Sequence, residues 1–213
     1  MIAIIAPTRG RPKQFQRMVE SVKSTSKKAM IYAASNGSDD YVSYHYPIDM
    51  PTVFMWNDMA KMAMKEEKNK LFMLAADDII FSTKGWDEAL IDHYSKLERK
   101  IHCWALQDSR DKEGFPHPIV SREWIEAMNW FVPPYFMHWK IDVWTNEIAK
   151  TNNCFTHMRD YLLVHDKPND RGQPDETHSR IRRNGWLQRD DDMAKSCAYL
   201  LEYEKKRLAE KMQ

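Results

Sequence analysis

One stretch limits the folds open to this 213-residue chain more than any other: Leu71-Phe72-Met73-Leu74-Ala75-Ala76-Asp77-Asp78-Ile79-Ile80-Phe81. It is an apolar run broken by two adjacent carboxylates. A run of this length reads as a buried strand, and open α/β sheets take their ligands at the carboxyl ends of strands. Two carboxylates fixed there repel each other and require a counter-charge, for which a divalent cation is the usual choice. A cation in that place can hold a diphosphate leaving group.

The rest of the pattern agrees with such a sheet. Residues 2–6 read as an apolar strand, Pro7-Thr8-Arg9-Gly10-Arg11-Pro12 as a turn, and residues 13–24 as a helix with Phe15, Met18, Val19 and Val22 at helical spacing. Residues 30–34 predict a second strand, followed by the turn Ser35-Asn36-Gly37-Ser38-Asp39-Asp40. Helices are expected over 56–67 and 87–97, and strands over 71–75 and 101–106. This alternation predicts a single α/β domain with a mostly parallel sheet and helices on both faces. Residues 1–106 make its first half. Residues 107–189 are looser, with Pro116, Pro118, Pro133 and Pro134 among aromatic residues. They hold a short helix over 121–128 capped by Ser121, another over 140–151, a strand over 161–165, and a polar, arginine-rich mobile loop over 166–189. A final amphipathic helix is expected from Asp190, whose acidic run suits a helix N-terminus, to Lys211.

Composition removes several function classes. Lys+Arg 32 against Asp+Glu 31 gives a net charge of +1, so no global field favours nucleic acid or an anionic membrane. Mean hydropathy is −0.69, and no apolar run approaches the roughly 18 residues of a membrane span. The opening residues lack the basic region and cleavage site of a signal peptide. Cys103, Cys154 and Cys197 are scattered and form no CxxC, which favours reduced, buried thiols in a cytoplasm over disulfides or a zinc site.

Five places carry candidate chemistry. Pro7, Thr8, Arg9 and Arg11 lie between a strand and a helix, where backbone N–H groups and guanidinium groups suit phosphate. Neither GxGxxG nor GxxxxGK[ST] is present, which disfavours a dinucleotide fold and a P-loop. Asp39 and Asp40 follow the second strand and are placed either to accept from a base or ribose or to make an ordinary turn. Asp77 and Asp78 are costly unless neutralised. His165 is a candidate to complete a metal site with them. Asp142, at the start of a helix beside His138, Trp139 and Trp144, is either a cap or a general base for an acceptor hydroxyl.

Taken in order along the chain, these residues resemble the family-2-like GT-A glycosyltransferases, closest to a compact type common in phages and bacteria. The resemblance rests on residues 2–12, 35–40, Trp56-Asn57, Ala76-Asp77-Asp78 with Gly85-Trp86-Asp87, residues 117–124, the segment around Asp142, and Val164-His165. It implies metal-dependent, inverting transfer of a sugar from a UDP- or similar nucleotide sugar to a hydroxyl. It also implies that Pro7, Thr8, Arg9, Arg11, Asp39, Asp40, Asn57 and Asp77 bind the donor. Asp78 and His165 would hold Mn²⁺ or Mg²⁺, and Asp142 would be the base. Two departures stand out: Ala76 replaces the first acid of the family's DxD, and Ile141 replaces one of the acids usual beside the base. Since adjacent residues of a strand face opposite ways, Asp78 alone is expected on the metal.

The acceptor is less legible. Arg171, Arg180, Arg182, Arg183 and Arg189, with His178 and Trp186, form a lid over the donor diphosphate, a grip on a polyanion such as DNA carrying hydroxymethylated pyrimidines, or simply a solvated loop. Asp166, Asp170, Asp175 and Glu176 offset that charge. A glycan or small-molecule hydroxyl is the other acceptor class. The rival readings are a nucleotidyltransferase, for which the opening turn lacks a glycine-rich, lysine-bearing loop, and a binding protein degenerate at Ala76.

Overall fold

A computed structural model describes residues 1–37, 39–42, 44–47, 50–110, 114–166 and 176–213. Arg171, Asp170 and Asp175, and the side chains of Glu176 and His178, lie outside the described residues.

The apolar runs become strands because both faces of the sheet are covered. Strand β1 (Ile2–Thr8) sits between β2 (Ala29–Ser35) and β3 (Leu71–Leu74), parallel to both. Beyond β3 come β6 (Ile119–Ser121), β5 (Cys103–Asp108), β7 (Phe155–His165) and, at the edge, β4 (Ile79–Phe81). β6 runs antiparallel to β3 and β5, and β4 antiparallel to β7, while β5 and β7 are parallel. Among the described residues, five of the seven strands therefore share one direction.

Alternate residues of each strand feed opposite cores, as the two-residue period requires. Ile2, Ile4, Ala6, Leu71 and Met73 pack with Met18 and Val22 of α1 (Pro12–Thr25) and Trp86 and Leu90 of α3 (Trp86–Lys96). Ala3, Ile5, Phe72 and Leu74 face the other way, onto α2 (Thr52–Met64), α4 (Arg122–Met128), α5 (Ile141–Thr151) and Leu208 of α8 (Ala198–Lys211). Burial on both faces explains why these runs are continuously apolar. The expected strands and early helices are present within a few residues, and Ser121 does cap α4, accepting from the Trp124 N–H.

The second half departs from expectation. β4 and β6 are three residues each, too short to show a period. β7 begins at Phe155, not 161; its register with β5 shifts between Leu106 and Gln107, which hides the alternation. The expected loop over 166–189 contains α6 (Glu176–Arg183) and the start of α7 (Trp186–Ser196). Asp190 does not open the last helix. It lies buried inside α7, and the chain breaks at Cys197 before α8 begins. Among the described residues no helix is long and apolar enough to cross a membrane, and all three cysteines are free thiols.

Candidate active site

The carboxyl ends of the same-direction strands open onto one cavity of about 310 Å³. Its position follows from the topology, since loops leave the sheet on that side. Arg9, Arg11, Arg110 and Arg180 line it, together with Asp77, Asp78, Asp142, His117, His138 and His165.

Asp77 and Asp78 do not continue β3. They form the turn into β4, so the opposite-face rule for strands does not govern them. Both carboxylates reach the same atom: Arg11 Nη1 donates to Asp77 Oδ1 at 2.8 Å and Asp78 Oδ2 at 3.2 Å. The Thr8 hydroxyl donates to Asp77 Oδ2 at 2.7 Å. All four residues are buried. Burial lifts the Asp77 carboxyl to about 6; Arg11 works against that lift and the Asp78 charge adds to it. Arg11 thus supplies a guanidinium counter-charge to the pair.

Beside the pair stands a cluster of which the sequence announced His165 alone. Asp108 ends β5, His165 ends β7, and His117 precedes β6. The Asp108 carboxylate oxygens lie 3.2 and 3.0 Å from His165 Nδ1, and His165 Nε2 lies 3.2 Å from His117 Nε2. One ligand atom from each residue falls within 4.8 Å of the others. Burial lowers the His117 imidazole to about 4, helped by His165 and opposed by Asp108 and Asp78. Two imidazoles and a carboxylate fit a divalent transition metal.

The other wall is built by Asp190. Its oxygens accept from the N–H groups of Met137 (2.7 Å), His138 (2.8 Å) and Trp139 (2.7 Å). This fixes the segment leading into α5, whose first turn holds Asp142. His138 Nδ1 meets the Thr52 hydroxyl at 3.0 Å, and its ring stacks on Trp56 at 5.8 Å. Trp139 stays 41% exposed. The buried Arg180 lies with its guanidinium 5.3 Å from the Trp186 ring, and the Thr177 hydroxyl donates to the Arg9 carbonyl at 3.2 Å. Helix α6 therefore packs against the first turn.

No protein-family model matches the sequence, and no curated protein does. Solved structures do match it. The mannosyltransferase PcManGT from Pyrobaculum calidifontis, in complex with GDP-Man and Mn²⁺, superposes with a TM-score of 0.62 at 10% identity, over 99% of this chain and 69% of that one. The fold is that of the GT-A glycosyltransferases. S. aureus TarS matches with a TM-score of 0.60 at 11% identity, over 79% of this chain and 37% of that chain. GalNAc-T7 with UDP, GalNAc and Mn²⁺ gives 0.59 at 10% identity, over 78% of this chain and 43% of that one. The chain thus spans less than half the length of those TarS and GalNAc-T7 chains.

On this GT-A sheet, Pro7, Thr8, Arg9, Arg11, Asp77, Asp78, Asp142 and His165 line the cavity together. Three residues expected beside the donor are not among its lining. Asp39 joins the first two turns, accepting from the Gly10 N–H at 2.9 Å and from the Ser35 hydroxyl; Gly10 takes φ +63°, which glycine tolerates. Asp40 is exposed. Asn57 spends its amide on the 131–132 turn: Nδ2 donates to the carbonyls of Val53 and Val132, and Oδ1 accepts from the N–H groups of Phe131 and Val132. Of the late arginines among the described residues, only Arg180 lines the cavity. Asp108 went unnoticed although it ends an apolar strand just as Asp77 nearly does. His117 opens the 117–124 stretch but carries no spacing signal of its own.

Proposed function

We propose that this chain transfers a sugar from a nucleoside-diphosphate sugar to a hydroxyl acceptor. The observation that carries the reading is the cavity at the strand ends, with Arg9, Arg11, Arg110 and Arg180 in its wall and a carboxylate, Asp142, supplied by the start of a helix and not by the turn that holds Asp77 and Asp78. Guanidinium groups suit a diphosphate because they pair with its oxygens in bidentate fashion. Arg11 also holds Asp77 and Asp78, so the acids fix its orientation for the donor. Thr8 and Arg9 line the nucleotide side.

In the reaction the acceptor oxygen attacks the anomeric carbon, the bond from that carbon to the β-phosphate oxygen breaks, and the hydroxyl proton passes to Asp142. One base in line with the leaving group gives inversion. A divalent cation, when bound, supplies positive charge for the departing diphosphate; His165 and the groups around it would hold it. Trp139 presents an aromatic face three residues before Asp142, on which a pyranose acceptor stacks. A flipped base stacks on the same face, so hydroxymethylated DNA belongs among the acceptors tried beside glycans.

The test is a thermal-shift screen of UDP-, GDP- and other nucleotide sugars, each with Mn²⁺ and with chelator. A rise of several degrees with one nucleotide family supports the reading and identifies the base. No shift with any of them removes it.

A further inference from the structure

We infer that the chain carries a divalent-metal centre in which His117 and His165 ligate through Nε2 and Asp108 orients His165, separate from the Asp77–Asp78 pair. The inference deepens the donor-site reading and rests on it only for the cation's use, because the ion itself is testable without substrate.

The argument begins with what each acid already does. Asp77 and Asp78 share Arg11 Nη1 at 2.8 and 3.2 Å. A cation placed between them would sit against a fixed guanidinium or would have to displace it, leaving Arg11, itself buried, without its partners. Their neighbourhood is already neutralised.

The histidine pair is built differently. Asp108 accepts from His165 Nδ1, a contact that selects the tautomer with its proton on Nδ1 and its lone pair on Nε2. That lone pair is directed at His117, whose Nε2 lies 3.2 Å away. Two nitrogens bound tetrahedrally to one ion at about 2.0–2.1 Å stand about 3.3 Å apart. The observed separation is therefore close to the edge of a metal polyhedron. Buried Asp108 contributes a negative charge behind the ring, which raises the basicity of the ligating nitrogen.

The fold accounts for the convergence. β6, β5 and β7 are neighbours in the sheet. His117 is carried to the end of β3 by the Leu74 N–H, which donates to the Pro118 carbonyl at 2.9 Å, and Ile79 pairs with His165. Both histidines line the cavity, so the remaining positions on the ion face the donor. The softer imidazole set also predicts a preference for Mn²⁺, Co²⁺ or Zn²⁺ over Mg²⁺.

The test uses the chelator-treated full chain. Equilibrium dialysis with Co²⁺ and Zn²⁺ reads stoichiometry and affinity, and imidazole ¹⁵N spectra read the ligating atoms in the unmutated protein. The expected result is one ion per chain, with the Nε2 resonances of His117 and His165 moving on Zn²⁺ addition. His117→Gln and His165→Gln should each weaken binding at least 30-fold. Asp108→Asn should weaken it at least 10-fold, and Asp78→Asn less than threefold. No bound ion, unmoved imidazole resonances, or a loss in Asp78→Asn matching that in His165→Gln would overturn the assignment and leave a histidine–histidine hydrogen bond. Because the spectra need no variant, a folding defect cannot decide the matter. Nucleotide-sugar binding measured in chelator is a separate reading: binding there with no metal uptake would sink the metal centre and leave the donor site standing.

Discussion

Arg11 Nη1 lies 2.8 Å from Asp77 Oδ1, both residues almost wholly out of water, in the wall of the cavity. The contact makes an arginine from the first turn answerable for an acid from the third strand's end. Removing it with Arg11→Met leaves two buried carboxylates without their cation, which should cost about 3–5 kcal/mol at pH 7 in urea denaturation. The Asp77 carboxyl is already raised, and losing Arg11 raises it further. A raised folded value means stability is present below the unfolded value and lost as pH rises. The deficit should therefore narrow as pH falls from 7 towards 5; a deficit flat with pH would refute the electrostatic account.

Asp190 holds three consecutive backbone N–H groups at 137–139. Hydrogen bonds to a charged acceptor are worth about 1.5–3 kcal/mol each, less where water replaces them. Asp190→Ala should cost about 3 kcal/mol and speed amide exchange at Met137, His138 and Trp139 ahead of the sheet. Protection unchanged at those amides would show that the segment holds itself.

Asn57 fastens the 131–132 turn and lies outside the cavity lining. Asn57→Ala should lower stability by about 2 kcal/mol while nucleotide-sugar affinity stays within twofold. A tenfold loss of affinity at full stability would put Asn57 back beside the donor.

His102 is buried against Trp104, with its Nε2 2.8 Å from the Thr156 hydroxyl. Burial, helped by His93, lowers it to about 4. The unfolded chain then binds a proton that the folded chain refuses, so this residue's contribution is intact above about 6.5 and is lost as pH falls towards 4. The loss is about 1.4 kcal/mol per pH unit at most. His102→Gln should flatten the acid limb of the stability curve over that window relative to the parent chain. Asp77 acts in the opposite sense below pH 6, so the comparison is between the two curves, not of either alone.

Asp142→Asn should keep donor affinity within a few fold and reduce transfer about 10²–10⁴-fold, the range for a positioned general base. Single-turnover assays with a saturating donor check it. Near-normal turnover would remove Asp142 from the chemistry.

Much of the first half was legible. Ile2–Ala6 and Leu71–Leu74 are buried on both faces, so their apolar continuity reports their surroundings directly. Helices α1 and α3 place apolar residues on one face, which period alone detects. In the second half the signal thins: β4 and β6 are three residues long, and among the described side chains of α6 only Arg180 and Ile181 are buried, so its helical period is written mostly in polar residues.

The sequence by itself determined that an α/β sheet forms and that acids stand at a strand's end needing neutralisation. These are consequences of local periodicity and of the cost of burying charge, both readable along one stretch of chain. Only the tertiary structure decided what neutralises them. Asp77 and Asp78 lie in a turn, not a strand, so both reach Arg11 from 66 and 67 residues away. His165 meets His117 and Asp108 because β6, β5 and β7 are neighbours in the sheet. Strand order is set by packing between distant segments, and no local pattern encodes which strand ends will meet.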